Sequence, residues 1–104
     1  MIIVSVMYPN TDGSKFDKDY YLGTHIPLVQ NTWGDLGLTG VQVMAGLGGG
    51  QPGQPATYQV VAQLSFESMD AFSKAATQHG KEIFADIGNF TDVQPVVQIS
   101  TPWA

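Results

Sequence analysis

An α+β fold in the order βαββαβ, with both helices on one face of a four-stranded antiparallel sheet, is what this sequence predicts. Three observations carry it. The stretches "IIVSVMY" (residues 2–8) and "TYQVVAQLSF" (residues 57–66) are short, rich in β-branched residues, and bounded by segments containing Gly and Pro. Apolar residues recur at helical spacing in two intervening stretches, at Leu22, Ile26, Val29 and Trp33, and at Met69, Phe72 and Ala76. A chain of 104 residues, 43% of them hydrophobic, makes a single domain spanning residues 1–104 with room for a real core.

The elements follow in order. Strand one ends at the turn signal "PNTDG". Ser14, with Asp17 three residues later, resembles a capping box for helix one, and Gly34 stops that helix. Strand two is "GLTGVQVMAGL", where Val41, Val43, Ala45 and Leu47 alternate with Gln42 and Met44. The run "GLGGGQPGQPA" is a loop, either a hairpin connection or a lid. Strand three alternates from Tyr58 to Phe66, and Ser68 caps helix two, whose residues Met69, Phe72 and Ala76 are expected to face inward. "EIFADIGNF" adds a short helical turn ended by Gly88. The last strand is "DVQPVVQIST", and Pro95 places it at a sheet edge or a bulge. This order is that of the ferredoxin-like split βαβ.

Whichever face the helices cover, the other keeps large apolar groups: one set holds Ile2, Val4, Val43, Val60, Leu64 and Ile99, and the other holds Ile3, Met7, Met44, Val61 and Val96, interleaved with Gln42, Gln59, Gln63, Gln94 and Gln98. Such a face is too apolar for free solvent and polar enough for hydrogen bonds across an interface, which predicts a homodimer packed sheet on sheet.

Composition narrows the function. The net charge is −5, with four lysines and no arginine, so the clustered cations that nucleic acid or an anionic membrane would require are missing. A neutral or weakly polar small molecule fits better as partner. The absence of cysteine excludes thiolate catalysis and thiolate metal sites, and the scattered His and Asp residues predict no metal. The apolar start is short, lacks a basic flank and is stopped by Pro9, so it reads as a strand and a cytoplasmic location is expected.

The run "FDKDYYLGTHIPLVQNTW" (residues 16–33) puts Gly23 and Pro27 inside a helical pattern. Relative to Ala these cost about 1 and about 3 kcal/mol in a helix interior. One reading is a kinked helix, with Gly23 leaving space for the Pro27 ring; the other is a break, with Pro27 opening a second segment. Either way His25 lies at the edge of the apolar stripe with Tyr21 one turn before it, an arrangement suited to a general acid/base pair in an apolar pocket. The bland alternative is a satisfied core or surface histidine.

These residues carry a resemblance. "YPN…FDKDYYLGTHIPLV" and "HGKEIFADIGNFTDVQPVVQIS" resemble the EthD family of small dimeric α/β-barrel proteins over nearly the whole chain, and the tyrosine–His–x–Pro run is its most specific part. The resemblance implies a ferredoxin-like protomer paired through its sheet. It implies a small-molecule cleft between sheet and helices, and a role near xenobiotic, alkyl-ether or aromatic catabolism. The related superfamily includes cofactor-independent monooxygenases, cyclases and lactone isomerases, some of which use a histidine of helix one.

The functional expectation is therefore a cleft with His25 and Tyr21 catalytic, and Tyr20, Trp33 and His79 lining it. The reaction would be His-assisted proton transfer or cofactor-free oxygenation. A non-catalytic carrier accessory to an oxygenase system is the alternative. No cofactor is expected, and haem bound through His25 or His79 is the exception to test. Plain core packing competes for Tyr20 and Trp33, and interaction with the helix dipole for His79.

Overall fold

A computed structural model describes residues 1–104. Strands β1 (Ile2–Pro9), β2 (Leu38–Ala45), β3 (Tyr58–Phe66) and β4 (Val96–Ser100) form one sheet in the order β2-β3-β1-β4, with every neighbouring pair antiparallel. The connections carry a first helical run and then a long helix, which is the ferredoxin-like order the alternating strands predict. Both helical layers cover the face bearing Val4, Tyr8, Ala62, Leu64 and Phe66, all buried.

The first run is not a regular α-helix. It has three parts: a single turn α1 (Lys18–Tyr20), a π-turn (Tyr21–His25) and helix α2 (Ile26–Trp33). The Ile26 N–H donates to the carbonyl of Tyr21, five residues back. The backbone stays right-handed helical from Lys18 through Trp33, and Pro27 falls just past the π-turn in the first turn of α2, where its missing N–H costs little. A Cβ at Gly23 would meet open space, so that glycine leaves no room that the Pro27 ring needs. The π-turn inserts one residue into the helical phase. Consequently Leu22, expected in the apolar stripe, is turned out at 46% exposure, while Tyr21 and His25 turn in beside Ile26, Val29 and Trp33.

Other boundaries shift for local reasons. Asp17 is itself the cap, accepting the Tyr20 N–H at 3.1 Å, while Ser14 accepts a hydrogen bond from the Gln59 side chain. Strand β2 ends at Ala45, and Leu47 stands in solvent within the hairpin loop to β3. Gly46 is required there, since a Cβ would collide with the Tyr58 carbonyl and the Ala56 side chain. Helix α3 (Met69–Asp86) runs unbroken through the expected extra turn and ends in a 3₁₀ turn over Ile87–Asn89. Met69 is exposed, and Ala75, Gly80 and Ile83 form its buried face with Phe72 and Ala76 partly buried. Strand β4 starts just past Pro95 and lies at the sheet edge.

The core has two parts. Val4, Val29, Trp33, Leu64, Phe66, Ala75 and Ile83 pack in one, and Tyr8, Tyr21, Ile26 and Phe90 in the other. The Trp33 indole N–H donates to the Ala75 carbonyl at 2.9 Å and so ties α2 to α3. The segment after α3 is tied back to the start of the first run: Asp17 N–H donates to the Phe90 carbonyl at 2.7 Å and the Thr91 hydroxyl to the Lys15 carbonyl at 2.6 Å.

The opposite sheet face carries no charged side chain. Register lines up Gln42, Gln63, Ser5 and Gln98 in one cross-strand row, and Met44, Val61, Met7 and Val96 in the next.

Candidate functional site: a histidine–aspartate pair at an apolar cleft

The two ties just described place the π-turn against the C-terminal end of α3. His25 Nδ1 lies 2.8 Å from Asp86 Oδ2. The other oxygen, Oδ1, accepts the Tyr20 hydroxyl at 2.6 Å and the Asn89 side-chain N–H at 3.0 Å. A carboxylate at a helix C-terminus faces the negative end of the dipole, which is unfavourable. Three donors offset that cost. Partial burial pushes the Asp86 carboxyl up, but the hydrogen bonds from Tyr20, Asn89 and His25 outweigh it and hold the group below its ordinary value. Donation to Asp86 is in turn the main reason the Tyr20 phenol is raised.

An ionised Asp86 only accepts, so the His25 proton sits on Nδ1 and the neutral ring keeps Nε2 bare. His25 is 4% exposed, and Nε2 has no protein partner. No fully enclosed side-chain nitrogen or oxygen in the molecule lacks one, so Nε2 faces open space. That space is a cavity of ≈ 60 Å³ between the sheet and α3. Val4, Val6, Ile83 and Ile87 supply apolar walls, and the half-exposed Phe84 and Val97 line its opening between α3 and β4. His25, Tyr8, Tyr21 and Trp33 are the lining residues that carry a side-chain nitrogen or oxygen.

The expected site residues separate into three groups. His25 and Tyr21 both line the cavity, but Tyr21 does not hydrogen-bond the imidazole; its ring stacks on it, with centroids 5.5 Å apart and planes 19° apart. Trp33 also lines the cavity while anchoring the core. Tyr20 lies behind His25, holding Asp86 rather than walling the cavity. His79 is remote from the cleft, paired on the outer side of α3 with Glu82 at 3.1 Å. The glycine-rich loop does not line the cavity either. Sequence reasoning missed Asp86, Asn89 and Tyr8. No three His, Cys, Asp or Glu side chains converge on a point that could hold a metal ion, and no helix is long and apolar enough to cross a membrane.

Residues 9–94 match the model of the EthD domain. No curated protein matches the chain in sequence. Among solved structures, an EthD-like protein from Ralstonia eutropha JMP134 is 38% identical, superposes with a TM-score of 0.91, and is matched over 99% of this chain and 92% of its own. An ethyl tert-butyl ether D (EthD) family protein from Bacillus halodurans C-125 is 20% identical with a TM-score of 0.74, covering 98% of each chain. A dimeric ferredoxin-like protein from an uncultured marine organism shares the fold at 8% identity and a TM-score of 0.55, over 100% of this chain and 96% of its own.

Proposed function

The chain belongs to the EthD family, and on that premise we propose that it is an enzyme that moves a proton on a small apolar catabolite, with His25 as the base. The observation that carries the reading is the bare Nε2 facing an apolar cavity while Asp86 holds Nδ1–H from behind. Asp86 fixes the tautomer and stabilises the imidazolium that forms, and the low-dielectric walls strengthen each electrostatic contact. The site needs no cofactor for this step, and haem bound at His25 would require the ≈ 60 Å³ cavity to open widely. Isomerisation, cyclisation and cofactor-free oxygenation all begin with this same proton removal.

The dimer is part of the proposal. The uncharged rows of Gln and of Met with Val on the free sheet face suit a second copy of this chain, and the marine fold neighbour is itself dimeric. Sedimentation velocity at micromolar concentration should give a dimer, and Met7→Lys at the face centre should give a monomer. A monomeric wild-type chain contradicts the pairing.

Deuterium uptake from heavy water into a panel of small apolar ketones, lactones and phenols tests the base. His25→Ala should lower the rate at least about 10²-fold in a protein that stays folded. A carrier would lose affinity alone, and unchanged rate and affinity would remove His25 from the site.

A further inference from the structure

We infer that Tyr8 and Tyr21 form a paired hydroxyl cradle for a carbonyl oxygen, and that the cleft takes a small uncharged ketone, ester or lactone with a hydrogen on the carbon beside that carbonyl. The inference rests on the base reading of His25 and names the substrate class of that site.

Two buried phenols at the cavity start the argument. Tyr8 is 1% and Tyr21 2% exposed, and their hydroxyls hydrogen-bond each other, which uses one O–H and leaves the other of the pair free to donate. Buried hydroxyls are normally satisfied, because leaving water without a new partner is costly. Both residues line the cavity that His25 Nε2 faces. The rings meet edge to face with centroids 5.9 Å apart, and the hydrogen bond between the two hydroxyls joins them into one pair. Tyr8 comes from β1 and Tyr21 from the π-turn, whose inserted residue rotates Tyr21 inward and stacks it on the imidazole. A hydrogen-bonded phenol pair with one O–H left to donate and one base thus converge from different elements on one small space.

The phenols remain donors at any working pH. Burial pushes Tyr21 up to about 12, partly offset by Tyr8, and pushes Tyr8 further, with the neighbouring Tyr21 adding to the rise. A neutral O–H that does not ionise stabilises a developing oxyanion without itself adding negative charge. The cavity lining has no lysine to match a carboxylate or phosphate, so an uncharged ligand is favoured. A carbonyl compound fits both halves of this chemistry. His25 Nε2 takes the hydrogen from the carbon beside the carbonyl. The C–H electron pair becomes the new C=C bond, and the carbonyl π pair moves to oxygen, where the free O–H of the Tyr8–Tyr21 pair meets it, backed by the hydrogen bond from the other phenol. The imidazolium then returns the proton to the same carbon or to one conjugated with it. No oxidant or reductant is consumed.

The probes are 4-nitrophenolate, an aromatic oxyanion, and nitrobenzene, which lacks the oxygen. The intact protein should bind the phenolate at least about tenfold more tightly, in the range of a charged hydrogen bond. Tyr8→Phe and Tyr21→Phe should each reduce that preference about tenfold and leave nitrobenzene affinity within about twofold. Each variant keeps its ring, and near-ultraviolet circular dichroism checks the fold. A missing preference in the intact protein, or one retained in both variants, overturns the cradle. The deuterium-exchange assay with His25→Ala reads the base independently: exchange that survives that change while the preference depends on the phenols removes the base and keeps the cradle. Exchange lost with His25→Ala beside an unchanged preference in both Tyr variants does the reverse.

Discussion

The two helical runs that meet at the site are built by opposite rules. The first changes its helical period twice in sixteen residues, from Lys18 to Trp33, and carries His25 and Tyr21 on the irregular part. Helix α3 keeps one period from Met69 to Asp86 and offers its last residue as the post against which the imidazole is held. The broken run aims a ring, and the regular one fixes it. A π-turn is a local way to rotate two side chains inward without moving the helix that follows.

The strongest way to break this comparison is to cut the tie between the runs. Trp33 is 3% exposed, and its indole spans from α2 to the Ala75 carbonyl. Trp33→Ala should cost about 3–5 kcal/mol in a denaturant titration. A loss below about 1 kcal/mol would mean that the runs are held together elsewhere.

Asp86→Asn comes next. It leaves the shape but weakens the acceptor for Tyr20 and His25, and should cost about 1–3 kcal/mol near neutral pH. The sign of its pH dependence follows from the direction of the shift. The Asp86 carboxyl is held below its ordinary value of 3.8, so its contribution is complete above that value and is lost as pH falls through the lower folded value. The stability gap between the intact protein and Asp86→Asn should therefore close below about pH 4. A gap that widens on acidification would contradict the assignment.

The smallest effects compare a glycine in each run. A Cβ at Gly80 in α3 would meet only the Ala76 Cβ at 3.8 Å, and one at Gly23 in the π-turn would meet nothing. Gly80→Ala should stabilise by about 1 kcal/mol and Gly23→Ala by about 0.4–1 kcal/mol, read as a rise in Tm. Destabilisation by Gly23→Ala would show that the π-turn uses glycine's freedom.

The strands were the legible part of the fold. Alternation in β1 and β3 needs only a period of two, and it survives in the register that pairs Val4 with Leu64 and Met7 with Val61. The two residue sets that make the sheet faces were legible for the same reason, but which of them the helices leave free was not. The first helical run was legible only after its insertion. The spacing of Leu22, Ile26, Val29 and Trp33 assumes one unbroken period, and the π-turn breaks it at the point where Leu22 should have been buried. His25 and Tyr21 stood out because Gly23 and Pro27 frame them. Asp86 did not, since it lies 61 residues away and only the fold brings it to His25. A faint signal was present: an acidic residue at a helix C-terminus, among Phe84, Ile87 and Phe90, is poorly placed for stability alone. Tyr8 did not stand out within strand one, because a hydroxyl beside a cavity leaves no mark in an alternating pattern.

The most direct measurement is the ¹⁵N spectrum of the His25 imidazole in the intact protein at pH values where the ring is neutral. The account predicts a proton on Nδ1 and a bare Nε2, with that preference weakened in Asp86→Asn. A ring protonated on Nε2, or a tautomer that ignores Asp86→Asn, would contradict it.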